Sequence, residues 1–164
     1  MTTTKFLRLV NSPWRFRLFM LWKLPAAWFM GIRVHSCDGT RAVTVLPCGW
    51  RSQNPFRSAY FAAQCAAAEM STGLLALAHL QGQPPVSMLV TNIEAEFLKK
   101  ASETLSFTCE QGDEMEAVIR EAVESGEART FRALSVGRLP EGTEACRVWI
   151  SWSFKTKRES GVKM

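Results

Sequence analysis

Residues 54–73 read NPFRSAYFAAQCAAAEMSTG, and two side chains in this stretch could do chemistry. Glu69 is a carboxylate inside a run that is otherwise small and apolar. Asn54 stands fifteen positions earlier, in the polar turn before that run. A carboxylate can attack an electrophilic carbon or draw a proton from water. The turn leads into a helix start, whose first N–H groups lack intrahelical partners and carry positive potential. The stretch thus combines a base or nucleophile with a place for developing negative charge. Asn54 could orient the loop or a carbonyl there, or be a turn residue only. Burial among alanines alone raises a carboxylate's pKa. The hydroxyls of Ser71 and Thr72, within a turn of Glu69, are expected to offset part of that rise.

These residues need elements to position them. "YFAAQCAAAEMSTGLLALAHL" is alanine-rich, proline-free and apolar on all sides, which predicts a buried helix from Ser58 to about His79. Ser58 is the expected N-cap, and "QGQPP" ends the helix. Before it, "GIRVHSCD" and "RAVTVLPC" alternate around Asp38-Gly39-Thr40, a hairpin signal. Earlier still, residues 14–24 carry Trp14, Leu18, Leu21 and Trp22 at helical spacing between Pro13 and Pro25. That helix is expected to cap one side of the fold, or else to rest on a membrane or cover a lipid chain. After the central helix, "VSMLVTNIEAEFLKKA" is a long strand. "TLSFTCEQ" is expected to pair back on it through a turn at Ser102-Glu103. "GDEMEAVIREAVESGE" is an amphipathic helix ending at Gly126, and "EARTFRALSVGRLP" and "EACRVWISWSFKTK" are two more strands. The order predicts an α+β chain: a curved, largely antiparallel sheet wrapped around one long central helix. The whole of 1–164 reads as one domain, with an N-terminal helical segment at 1–30 and a frayed tail at 157–164.

Composition narrows the function classes. The chain has 164 residues, 47% hydrophobic and 21% charged, which suits a folded domain. A net charge of +5 favours an anionic ligand but is short of the dense basic clustering of a nucleic-acid binder. Cys37, Cys48, Cys65, Cys109 and Cys146 show no metal-ligand spacing, so no metal site is expected. They read as buried, reduced thiols of a cytoplasmic protein. In the N-terminal segment, the longest uncharged run is nine residues, Leu24 to Ile32. A spanning helix needs roughly 18 or more. The segment does not have the layout of a signal peptide either.

The layout resembles the hotdog fold, and the quoted stretch is similar to the motif of phenylacetate-pathway-type acyl-CoA thioesterases. That family carries an Asn, then His-Gly-Gly near the helix start, then an acid fifteen residues after the Asn. Asn54 and Glu69 stand at those positions. The glycine whose N–H polarises the thioester carbonyl corresponds to Phe61, and a Ser or Thr on the next strand corresponds to Ser87. "EFLKKA" (96–101) looks like the family's "Y-L-x-P-A" segment. The likeness covers roughly residues 28 to 156 and is nearer to an uncharacterised branch of such proteins. Tyr60-Phe61-Ala62 replaces the His-Gly-Gly, and Arg57 replaces a small residue.

The resemblance implies hydrolysis of an acyl-CoA or acyl-carrier thioester, with Glu69, Asn54, Phe61 and Ser87 at the site and no cofactor. Arg57, Lys99 and Lys100 are candidates for the coenzyme A phosphates, or for a solvated basic surface. Phe61 and Glu69 are eight residues apart, about 12 Å along one helix. Reacting atoms must approach within about 3.5 Å. One helix does not easily offer both groups, but an antiparallel twin does. A homodimer with two shared sites is therefore expected, with a tetramer left open. The rival reading, resting on Arg57 and Phe61, is a non-catalytic module that binds acyl ligands or serves as a scaffold.

Overall fold

The structure, a computed structural model, describes residues 2–157. Its sheet is built from β1 (Arg33–Cys37), β2 (Ala42–Leu46), β3 (Val86–Phe97), β4 (Leu105–Cys109), β5 (Arg129–Arg138) and β6 (Glu144–Thr156). These six strands lie in the order β1-β2-β4-β5-β6-β3, all neighbours antiparallel. The curved sheet wraps the long helix α4 (Phe61–His79), which is the hotdog arrangement. Helix α5 (Gly112–Ser125) packs against α4, β5 and β6. The N-terminal segment forms α1 (Thr3–Val10), α2 (Pro13–Lys23) and α3 (Pro25–Met30), broken at the two prolines as their missing N–H groups require.

The alanines of α4 explain how a helix fits inside a curved sheet. Ala63, Ala67, Ala68, Ala76 and Ala78 are fully buried, and their small side chains let strands come close. The approach is near enough for the Thr44 hydroxyl on β2 to donate to the Ala67 carbonyl at 2.7 Å, a bond buried inside the core. A similar demand falls on Gly112 at the start of α5. Its N–H donates to the Thr40 carbonyl, and a Cβ there would meet the Gly39 carbonyl oxygen at 2.0 Å. Across the core, the Trp152 indole N–H on β6 donates to the Thr72 hydroxyl at 3.0 Å. Thr72→Val keeps the shape but leaves that buried N–H unpaired. It is expected to cost about 1–3 kcal/mol in urea denaturation.

The hairpin β1–β2 forms as expected, closed by the Asp38 carboxylate accepting from the N–H groups of Thr40 and Arg41. Helix α5 ends at Gly126, which is left-handed at φ 69°. Two expectations are corrected. "TLSFTCEQ" does not pair back on β3: β4 lies between β2 and β5, and β3 pairs with β6 alone. The burial pattern gives the reason. β4 is buried on nearly every residue between β2 and β5, whereas β3, at the sheet edge, is mostly exposed. Ser58 does not cap α4 either. The helix begins at Phe61 after Tyr60, and the Ser58 hydroxyl donates to Asn54 Oδ1 instead. The tail expected at 157–164 lies, beyond Lys157, outside the described residues. Among the described residues, the one helix long and apolar enough to cross a membrane is α4, and most of it is buried inside the fold.

Candidate functional site

The loop before α4 is built around Asn54. Its side-chain oxygen accepts from the Phe56 N–H (3.0 Å), the Ser58 N–H (3.3 Å) and the Ser58 hydroxyl (3.2 Å). Its own N–H donates to the Ser58 carbonyl at 2.8 Å. This cross-bracing holds Arg57 in the left-handed region at φ 57°, the one non-glycine residue with positive φ among those described. Further along, Ala59 N–H donates to the Ala101 carbonyl and Tyr60 N–H to the Ser52 carbonyl, both at 2.7 Å. Asn54 thus fixes how the chain enters α4, the loop-orienting role open to it from sequence.

The helix start itself is uncapped. No side chain accepts from it, and the first intrahelical bond is Gln64 N–H to the Tyr60 carbonyl. The N–H groups of Phe61, Ala62 and Ala63 precede that bond. Of these residues Phe61 borders a cleft of about 320 Å³, together with Asn54, Gln64, Phe97, Lys99 and Lys100. The Phe61 ring leans on Tyr60 and, edge-on, on Phe97 at 6.5 Å between centroids. It forms a wall of the cleft and is itself 57% exposed. Lys99 is also 3.3 Å from Glu141. Arg57, on the same loop, is exposed and does not border the cleft.

Gln64 is the residue that sequence reasoning passed over. It is only 6% exposed, and its amide nitrogen donates to the Ala59 carbonyl at 2.9 Å. That bond fixes the orientation of the amide and leaves Oε1 as a buried acceptor without a partner. An orphaned acceptor of this kind costs stability unless something bonds to it. The available signal was a lone amide in a run of alanines.

Glu69 stands elsewhere, in a second cavity of about 140 Å³ that is almost wholly apolar. Phe6, Phe16, Phe19 and Leu24 of the N-terminal helices form one wall, with Gly73 and Met88 opposite. Burial pushes the Glu69 carboxyl above its ordinary value of 4.5. The expected hydroxyl donors do not reach it. Thr72 donates to the Glu69 backbone carbonyl at 3.0 Å, and Ser71 bonds the Ala68 carbonyl and Ser135. Both hydroxyls fold back along the helix and leave the carboxylate alone. Ser87 does not join it within the chain either. It pairs with exposed Lys155, on the opposite face of β3 from Met88, which lines the Glu69 cavity. Strand alternation turns Ser87 away.

A raised carboxyl pKa destabilises the fold where the unfolded chain ionises more readily. Below the ordinary value both states are protonated, and no cost arises. As pH rises through 4.5 and then through the folded value, the cost grows to its full size. Glu69→Gln is therefore expected to raise the thermal midpoint at pH 7, with the gain shrinking as pH falls toward 4. An equal shift at both pH values would rule out this origin.

Within one chain the structure thus brings Asn54, Phe61, Lys99 and Lys100 to one cleft and leaves Glu69 in another cavity. The two share no lining residue. The stripe of α4 carrying Ala62, Cys65, Ala66 and Glu69 is half-buried, not fully covered. Beside it, Ile93 and Phe97 sit on the helix side of β3, paired with buried Ile150 and Cys146, yet each is 48% exposed. No potential metal-binding group of His, Cys, Asp or Glu occurs among the described residues, and the five cysteines are free.

The fold has close counterparts. A protein of Pseudomonas aeruginosa described as a probable thioesterase is 13% identical with a TM-score of 0.71, covering 96% of this chain and 97% of that one. A thioesterase of Haemophilus influenzae is 14% identical with a TM-score of 0.69, covering 92% and 94%. A thioesterase of Staphylococcus aureus is 12% identical with a TM-score of 0.59, covering 77% and 94%. That enzyme is known in forms with a glutamine and, separately, a glutamate replaced by alanine, fifteen positions apart in its own chain. No curated protein matches the sequence. A family model does, over residues 12–152. The chain, a hotdog fold in its architecture, therefore belongs to the DUF4442 family, a domain of unknown function.

Proposed function

We propose that the protein is a thioesterase that hydrolyses an acyl-CoA or acyl-carrier thioester at sites shared between two copies of the chain. The observation that carries this reading is the division of the chemistry: an uncapped helix start with Phe61 at one cleft, and a half-buried carboxylate in another cavity. The Phe61 N–H, at the positive end of α4, meets the developing oxyanion. Glu69 of the twin chain attacks the carbonyl carbon or activates a water. Gln64 Oε1 accepts a hydrogen bond from an amide of the thiol arm, and Lys99 and Lys100 meet phosphates at the mouth. Three things support the dimer. The half-buried stripe of α4 runs past Glu69. Ile93 and Phe97 want cover on the same side. The free edge of the long strand β3 offers unpaired N–H and C=O groups along its length. The names of the structural neighbours, and the fifteen-position spacing in the Staphylococcus aureus enzyme, point the same way.

The rival, a non-catalytic module that binds acyl ligands, is favoured by one feature: among the described residues none donates a hydrogen bond to the Glu69 carboxyl, and burial pushes it toward its neutral form. Release of free thiol from a panel of acyl-CoAs of increasing chain length separates the two. Turnover that depends on Glu69 supports the thioesterase. Tight binding of the same ligands without thiol release supports the module and overturns the proposal.

A further inference from the structure

Helix α2 has two apolar faces. Phe16 and Met20 are buried in the core. On the other side Trp14, Leu18, Leu21 and Trp22 lie at helical spacing and face outward, Trp14 66% and Trp22 82% exposed. An exposed apolar ridge of this kind marks a contact surface besides the core. At 100° per residue, Arg15 and Arg17 fall on either flank of this ridge. Arg15 lies over the Trp14 ring and Arg17 over the Trp28 ring, each at 5.5 Å. Exposed Phe29 on α3 extends the apolar surface and meets Trp50 edge-on at 5.9 Å.

The charge distribution says what kind of partner this is. Before Asp38 the sequence holds six cations, Lys5, Arg8, Arg15, Arg17, Lys23 and Arg33, and no acid. Residues 38–164 hold the other fourteen of the 20 Lys and Arg and all 15 Asp and Glu, a balance of −1. The net +5 of the chain therefore comes entirely from the N-terminal segment. None of the six cations forms an ion pair among the described residues. A second copy docking through this face would bring like charge against like. An aromatic ridge between arginines instead matches the water boundary of an anionic bilayer, where rings sit among the head groups and guanidinium groups meet phosphates.

We infer that α2 and α3 form a docking face for the surface of an anionic membrane. The helices rest on the bilayer without crossing it. The face connects to the Glu69 cavity, because Phe19 and Leu24 are exposed beside the ridge and also line that cavity. Docking would place the cavity beside the lipid phase. The inference does not depend on catalysis.

The test is co-sedimentation of the full chain with vesicles of phosphatidylcholine alone and of phosphatidylcholine with phosphatidylglycerol, at low and high salt. Strong binding to the anionic vesicles, weakened by salt, is the expected result. Arg15→Glu with Arg17→Glu, and separately Trp14→Ala with Trp22→Ala, are each expected to lower partitioning about tenfold or more. All four side chains are exposed, and unchanged melting and size-exclusion profiles would show that the fold and assembly persist. Absence of binding to anionic vesicles, or equal salt-independent binding to both vesicle types, overturns the inference. So does loss of an oligomer in the tryptophan variant, which would assign the ridge to protein contact. Acyl-CoA hydrolysis is a separate readout, so its failure would leave this result standing.

Discussion

Glu69→Gln is expected to lower thioester hydrolysis by about 10²- to 10⁴-fold, the range of a lost general base. Glutamine has nearly the same shape and fits the same cavity, but it cannot take a proton and is a poor nucleophile. The variant should bind acyl-CoA as the wild type does, so the loss should appear in kcat, not in KM. The wild-type pH profile carries a second signature. Catalysis needs the carboxylate ionised, and burial raises its pKa above 4.5. Hydrolysis should therefore fall as pH drops through an apparent pKa above that value. In Glu69→Gln the residual rate should not show this step. The same substitution is expected to stabilise the protein at neutral pH. Lower activity with higher stability marks a carboxylate kept for chemistry at the expense of the fold. Wild-type turnover in a folded Glu69→Gln protein would remove Glu69 from the mechanism.

The central helix was legible in the sequence because its signal is local. A run of alanines without proline reads as helix, and apolar residues on every side read as burial. Asn54 was legible for the same reason: an Asn-Pro turn braces its own neighbours, and all five of its bonds lie within residues 54–58. What was not legible depends on the sheet. The partner of "TLSFTCEQ" is set by the order of strands across the whole sheet, and the short turn suggested a hairpin that the fold does not use. Ser71 and Thr72 are near Glu69 in sequence, but their hydroxyls found backbone carbonyls of the preceding turn, a common competitor in helices. Ser87 depends on strand parity, which counting residues from an acid in a helix does not supply. Gln64 is the reverse case. Its sequence context is bland, and only the buried, unpartnered Oε1 singles it out.

Phe61→Pro tests the other half of the site. Proline deletes the N–H that is assigned to the oxyanion, and this is the position where a helix accepts proline best. Tyr60 is already extended at φ −63° and ψ 133°, the conformation that a following proline requires. The fold should persist, and kcat is expected to fall about 10²- to 10³-fold, as when one oxyanion donor is removed. Phe61→Ala is the control. It loses the ring but keeps the N–H, so a comparable loss there would assign the effect to the wall of the cleft and not to the donor. The two dead variants then test how the site is shared. In a hybrid dimer, Glu69 from the Phe61→Pro chain faces the intact helix start of the Glu69→Gln chain, while the other site has lost both groups. Random exchange of subunits makes about half the dimers hybrid, each with one good site of two, so mixing should restore about one quarter of wild-type activity. A site contained within each chain gives a different result. Every chain in the mixture would still lack one essential group, and mixing would restore nothing.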